Sequence, residues 1–173
     1  MLLEWLLNRK SNLPILRIDD RLIHGQVIVG WGEKLKLRRI ILASDRVAHD
    51  EMLTELYNSL IPPEIEARVM EIGHAAELLE LQPLAGKQMV VVENIPDAVT
   101  LLDSGMKTSK IIIGGLHFIE GSKRVLSYVF LDEARKEHCR RLLDKGIPVV
   151  CQDHPSNPPY KITTKVLDLY NGE

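Results

Sequence analysis

Four short segments, 13–18, 39–43, 88–92 and 110–113, are apolar almost throughout instead of alternating apolar with polar residues. A strand with one wet face alternates. A strand covered on both faces does not, and that is the condition inside a parallel sheet flanked by helices. Longer stretches with helical spacing separate the segments, which gives each crossover the length it needs. The pattern predicts an α/β fold: a single-domain three-layer sandwich with a mostly parallel central sheet, helices on both faces, and one antiparallel edge hairpin.

Caps and stops place the elements. Helices are expected from Ile23 or His24 to about Lys36 and from Ala48 to Leu60, where Pro62-Pro63 stops the chain. Others are expected from Ala75 to Leu81, from Ala98 to Asp103 after Pro96, and from an Asp132 cap to about Lys145, with Gly146 as the stop. Glu66 to Ile72 and Ile147 to Cys151 read as further strands. Phe118 to Phe130 reads as a hairpin around Glu120-Gly121-Ser122. From Asp153 the proline-rich HPSNPPYKITTK reads as loop, with a last short element over Lys165 to Tyr170.

At 173 residues the chain is expected to form one domain over 1–173, and a charge of −2 at pH 7 offers no basic stripe for nucleic acid. The two cysteines, Cys139 and Cys151, form no CxxC and suit a reducing compartment as small buried hydrophobes. The six histidines show no HExxH or Cys/His spacing, so no metal is expected. No apolar run approaches the roughly 20 residues of a membrane-spanning helix. Met1 to Lys10 has helical apolar spacing with Trp5 on its face, and its charges follow the apolar residues, which a signal peptide does not allow. A packed helix or a partner-docking helix both fit this stretch.

Between the first strand and the first helix lies RIDDRLIHGQV, Arg17 to Val27. In open α/β sheets ligands bind beyond the carboxyl ends of strands, and helix N-termini there offer N–H groups to anions. The residue types suggest phosphate carried on His24. An imidazole is substantially unprotonated near neutral pH. Phosphoryl transfer asks for in-line positioning and positive charge around the phosphoryl oxygens. Arg21 and, less centrally, Arg17 are candidate sources of that charge. Asp19, with Asp20 second, is the candidate to orient the ring. Gly25 leaves room for a tetrahedral group, and Gln26 belongs to the same turn. Asp45 ends the second strand on the same edge, and Gly114-Gly115 end another where the backbone closely approaches something. His117 follows and could reach that edge, although a lone loop histidine is more often structural or solvated. A plainer account also fits: Asp-Asp caps a helix and Arg21 pairs with it.

RIDDRLIHGQV closely resembles the active-site segment of the EIIB proteins of the mannose/fructose/sorbose class of the sugar phosphotransferase system. Trp31, Arg38 to Asp45, Ala48 with Asp50, Pro62-Pro63, Ile113-Gly114-Gly115 and the Gly121–Lys123 turn extend the resemblance over about Leu13 to Val150. It implies that His24 accepts phosphate from phospho-EIIA and passes it to sugar in a membrane EIIC/EIID permease. It also implies no cofactor beyond the transient phosphohistidine, a homodimer, and a cytoplasmic protein held peripherally at the inner membrane by the permease. Residues 1–12 are then an N-terminal extension and 153–173 an atypical tail.

The chain departs from the family where a basic residue faces the phosphohistidine. Leu53 or Thr54 stands there, with Arg46 nearby as a possible replacement, and Ile28-Val29-Gly30 is apolar. Two alternatives therefore stay open: a phosphorylation-dependent regulator without transport, and a ligand-binding α/β domain that has lost phosphotransfer.

Overall fold

A computed structural model describes residues 13–82 and 85–169. The expected helix over Met1 to Lys10, with Trp5, lies outside the described residues. So does Tyr170, the last residue of the expected final element.

The apolar segments form the strands β1 (Ile15–Asp19), β2 (Leu37–Ala43), β4 (Lys87–Val92) and β5 (Lys110–Gly115). With β3 (Glu66–Met70), β8 (Val149–Cys151) and β9 (Tyr160–Lys161) they make a seven-stranded sheet among the described residues, in the order β3-β2-β4-β1-β5-β8-β9. All pairings are parallel except β8 with β9. β1 is central, between β4 and β5, so its carboxyl end opens onto the middle of the sheet edge.

The strands are apolar on both faces because each face has its own core. Leu16, Ile18, Ile41, Val90 and Ile113 pack to one side with α4 (Ile72–Leu81), α5 (Ile95–Asp103) and α6 (Glu133–Asp144). Ile15, Ile40, Leu42, Val91 and Ile112 pack to the other with Val27 and Trp31 of α1 (Gln26–Glu33). The period of two sends Arg17 and Asp19 to the α1 side with Ile15. Both are fully buried.

Several elements differ from expectation, each for a local reason. The first helix starts at Gln26, not Ile23 or His24, and α1 winds as a π-helix. π turns are rare and tend to mark functional sites. The expected helix from Ala48 is two: α2 (Asp45–Ala48), then α3 (Glu51–Leu60), whose N-terminus Asp50 caps by accepting from Leu53 N–H at 3.0 Å. α4 begins at Ile72, before Ala75, and α5 at Ile95, where Asn94 caps it and Pro96 sits in the first turn.

The hairpin is β6 (Lys123–Leu126) with β7 (Val129–Leu131), so it turns at Ser127-Tyr128 and not at Glu120-Gly121-Ser122. The latter trio makes a separate turn in which Gly121 has φ +79°. The hairpin forms its own two-stranded sheet, tied to the end of β5 by Leu116 N–H to Tyr128 O and Phe130 N–H to Leu116 O, both 2.9 Å. The antiparallel edge of the main sheet comes instead from the tail, where β9 precedes α7 (Thr164–Leu169).

Candidate functional site

The site begins where β1 stops. Asp20 N–H donates to Gly115 O at 3.1 Å, after a register shift between Ile18 and Asp19. Leu22 N–H donates to Asp19 O at 2.9 Å, closing a tight turn. Leu22 adopts φ +57°, a left-handed conformation a bulky side chain rarely takes. Such strain costs roughly 1–3 kcal/mol. Its side chain is buried beside Ile23 in the α1-side core, which returns a comparable amount, about 1.5–3 kcal/mol. Leu22 and Ile23 anchor the turn, and Arg21 and His24 are lifted to the surface.

Asp19 is the hub. Its Oδ2 accepts from Arg17 Nη2 at 2.7 Å and lies 3.1 Å from His24 Nε2. Its Oδ1 accepts from the backbone N–H and Nε of Arg21, each at 3.2 Å. Burial alone pushes this carboxyl up. The hydrogen bond to His24 and the charges of Arg17, His24 and Arg21 overcome that and hold it well below the usual carboxylate range.

An ionised carboxylate only accepts, so His24 presents N–H at Nε2, and the neutral ring keeps its lone pair on Nδ1. Nδ1 faces the start of α1, where Gln26 N–H lies 3.4 Å away. The Arg21 guanidinium stands over the same mouth, 37% exposed, with Nη2 donating to Gln26 Oε1 at 3.3 Å. A Cβ at Gly25 would meet nothing, so the space beside the ring is open. A nitrogen lone pair held by the first N–H of a helix, with a guanidinium bonded to the same glutamine, makes a place for a phosphoryl group.

Other expected site residues are arranged differently. Arg17 cannot face a phosphoryl group, because the strand alternation buries it completely behind Asp19. Asp20 does not reach His24. Its two oxygens accept from the backbone N–H of His117 and meet His117 Nδ1, each at 2.6 Å, so it latches the loop after β5 to the turn. Asp45 is on the carboxyl edge, but β4 separates β2 from β1, a distance of roughly 10 Å at ordinary strand spacing. Its carboxylate accepts from Ile72 N–H at 2.8 Å and so caps α4, not its own helix, which Ser44 caps. Arg46 pairs with Glu93 at 3.0 Å and does not replace the missing base. Leu53 packs on the α1-side core, and Thr54 Oγ donates to Val47 O at 2.9 Å.

Gly114 and Gly115 are close-approach glycines. A Cβ at Gly114 would lie inside the Arg17 guanidinium, and one at Gly115 would sit 3.1 Å from both Arg21 Nη2 and Asp19 Oδ1. What sequence reasoning missed is the tail. Asp153 O accepts from Arg17 Nη2 at 3.2 Å and from Trp31 Nε1 at 3.1 Å, and His154 packs on Gly30. The signal was that glycine inside the first helix, which leaves a gap for a neighbouring ring.

The family profile described as "PTS system sorbose subfamily IIB component" matches residues 13–167. The mannose-specific EIIAB component of Escherichia coli K12 is 32% identical over 87% of this chain and 47% of its own length, so the chain spans about half of that relative. The fructose-specific EIIB component of Bacillus subtilis is 30% identical over 84% of this chain and 90% of its own. The solved IIBSor domain of the sorbose permease from Klebsiella pneumoniae superposes with a TM-score of 0.80 at 28% identity, over 92% of this chain and 96% of that one. On the extent of the profile match, the chain belongs to the PTS system sorbose subfamily IIB component family.

Proposed function

We propose that this chain is a phosphocarrier of the sugar phosphotransferase system: His24 accepts a phosphoryl group from phospho-EIIA and hands it to a sugar entering through a membrane EIIC/EIID permease. The observation that carries the reading is the clamp on His24. Buried Asp19 takes the ring by Nε2, leaving Nδ1 to the Gln26 N–H at the start of α1, with Arg21 bonded to both Asp19 and Gln26.

The Nδ1 lone pair attacks the phosphorus of the donor's phosphohistidine in line. A new N–P bond forms, the donor's N–P bond breaks, and its electron pair returns to the donor imidazole. Arg21 and the Gln26 N–H meet the charge on the phosphoryl oxygens, the term phosphoryl transfer most needs. Asp19 keeps the ring oriented through its Nε2–H while the new bond forms. In the second transfer a sugar hydroxyl attacks the same phosphorus, the His24 N–P bond breaks, and the hydroxyl proton goes to solvent or a partner base. Among the described residues no helix is long and apolar enough to cross a membrane, so the reading places the chain at the membrane through its permease.

One observation favours a second reading. With Leu53 and Thr54 uncharged and Arg46 committed to Glu93, Arg21 carries the site's charge alone among the residues considered for it. A site poor in cations takes up phosphate yet releases it slowly to sugar, which suits a regulator. Radiolabelled phosphate separates the readings. Transport predicts label on His24 that moves to sugar when permease membranes are added. A regulator keeps the label, and a bare binding domain acquires none.

A further inference from the structure

We infer that Arg17 is a positioning residue: from behind the site it neutralises Asp19, so that Asp19 grips His24 by its Nε2–H without stabilising a second ring proton, and it ties that acid to the C-terminal segment. Arg17 is fully buried. Its fork is divided between functions. Nη2 donates to Asp19 Oδ2 at 2.7 Å and to Asp153 O at 3.2 Å, while Nη1 donates to Gln152 O at 3.2 Å. Trp31 covers it, ring centroid 5.5 Å from Cζ, and itself donates to Asp153 O at 3.1 Å. Gly114 yields the volume the guanidinium fills. The Nε of Arg17 has no hydrogen-bond partner among the described residues, a cost the fold accepts to keep the group there.

The chemical need is specific. A buried carboxylate beside a histidine favours the imidazolium, because an opposite charge at that range stabilises the charged form. An imidazolium has no lone pair on Nδ1 and cannot attack phosphorus. A permanent cation on the far side of Asp19 weakens that pull while leaving the orienting hydrogen bond. The groups facing Asp19 are Arg17 from β1 and Arg21 and His24 from the turn. Those facing Arg17 are Asp19, Arg21, Asp153 from the tail, and Tyr128 from the hairpin turn. Lys110 of β5 lies against the Trp31 ring at 5.9 Å. Arg21 cannot take over the task, since it is partly exposed and its side chain is needed at the phosphoryl group. Lysine would keep the charge but not the three-way fork.

The inference rests on the proposed role of His24 only for its kinetic consequence, and the test has two separate readings. Nitrogen-15 spectra of the His24 ring report its protonation with no donor present. Phosphorylation by phospho-EIIA, followed against pH, reports the consequence. The variants are Arg17→Met, Arg17→Lys and the double variant Arg17→Met with Asp19→Asn. Wild type at pH 7 is the reference for the ring's charge state. Arg17→Met is expected to show a larger doubly protonated fraction of the ring than wild type, a rate about tenfold lower at pH 7, the effect of one unit of titration, and recovery as pH rises. Arg17→Lys should fall between them, and the double variant, with no buried acid to satisfy, should reverse the change in the ring. If the ring's charge state is the same in wild type and in every variant that folds, or if the rate falls equally at all pH values, the inference is overturned. If the ring responds as stated but no protein takes up label, the inference about Arg17 stands and the phosphocarrier reading fails.

Discussion

At the level of single residues, the proposed function divides the work among three: Asp19 orients, His24 reacts and Arg21 meets charge. Arg21→Ala is expected to lower the rate of phosphorylation by about 10²-fold, comparable to losing one transition-state donor, with little change in stability, because Arg21 is partly exposed. Initial rates with phospho-EIIA and a thermal melt check both halves. Asp19 also has a pH signature. Its carboxyl is held below the usual range in the folded protein, so its stabilising contribution is complete above about pH 4, where the unfolded residue is also ionised. It is lost as pH falls from there through the lower native value. Urea unfolding at pH 7 and at pH 3 should show a loss of stability in wild type that Asp19→Asn reduces.

His24 and the types of its neighbours were legible in sequence because RIDDRLIHGQV concentrates acid, base and guanidinium at a strand end. Which guanidinium faces outward was not. That depends on strand parity, and the parity of Arg17 is set by which face α1 covers.

At the level of elements, the site is a strand end, a strained turn and a π-wound helix start, closed from below by β5. The glycines of β5 make room for two arginines, Gly114 for Arg17 of β1 and Gly115 for Arg21 of the turn. Gly114→Ala is expected to drive a methyl group into the Arg17 guanidinium. The cost should be about 3 kcal/mol, at the upper end of overpacking, with a matching fall in phosphorylation because Asp19 moves with Arg17. Gly25→Ala, where a Cβ meets nothing, serves as the contrast in the same melts. Asp50→Ala removes only the α3 cap and should cost about 1 kcal/mol without touching the rate.

The long apolar strands and the capped helices could be read in order from the chain, since their signals are local. β9 could not. It has two residues next to a run of prolines and exists because the edge of β8 was free to pair. The same holds for the hairpin turn, where Gly121 signalled a real turn that joins no strands.

On the scale of the whole molecule, one sheet with a core on each face carries the charges of a single site through its middle strand. The tail is part of that construction, since Asp153 and Trp31 close over Arg17. Apolar patterning read the class correctly because strands covered on both faces leave an unmistakable apolar record. It could not show the tail folding back, because carbonyl acceptors have no sequence signature. Both cysteines are buried, and burial pushes the Cys139 thiol up to about 12 and the Cys151 thiol higher still. A thiolate is what reacts. Native protein at pH 8 should therefore resist iodoacetamide, while urea-unfolded protein should take up label at both positions, as mass spectrometry would show.

The central claim is that Nδ1 of His24 carries a phosphoryl group. Phosphorus and nitrogen NMR of the protein after incubation with phospho-EIIA tests it most directly. A phosphoramidate signal coupled to Nδ1 of His24, stable in base, lost in acid and absent from His24→Ala, is the expected result. A phosphohistidine signal that survives His24→Ala, or wild-type protein that stays unlabelled, contradicts it.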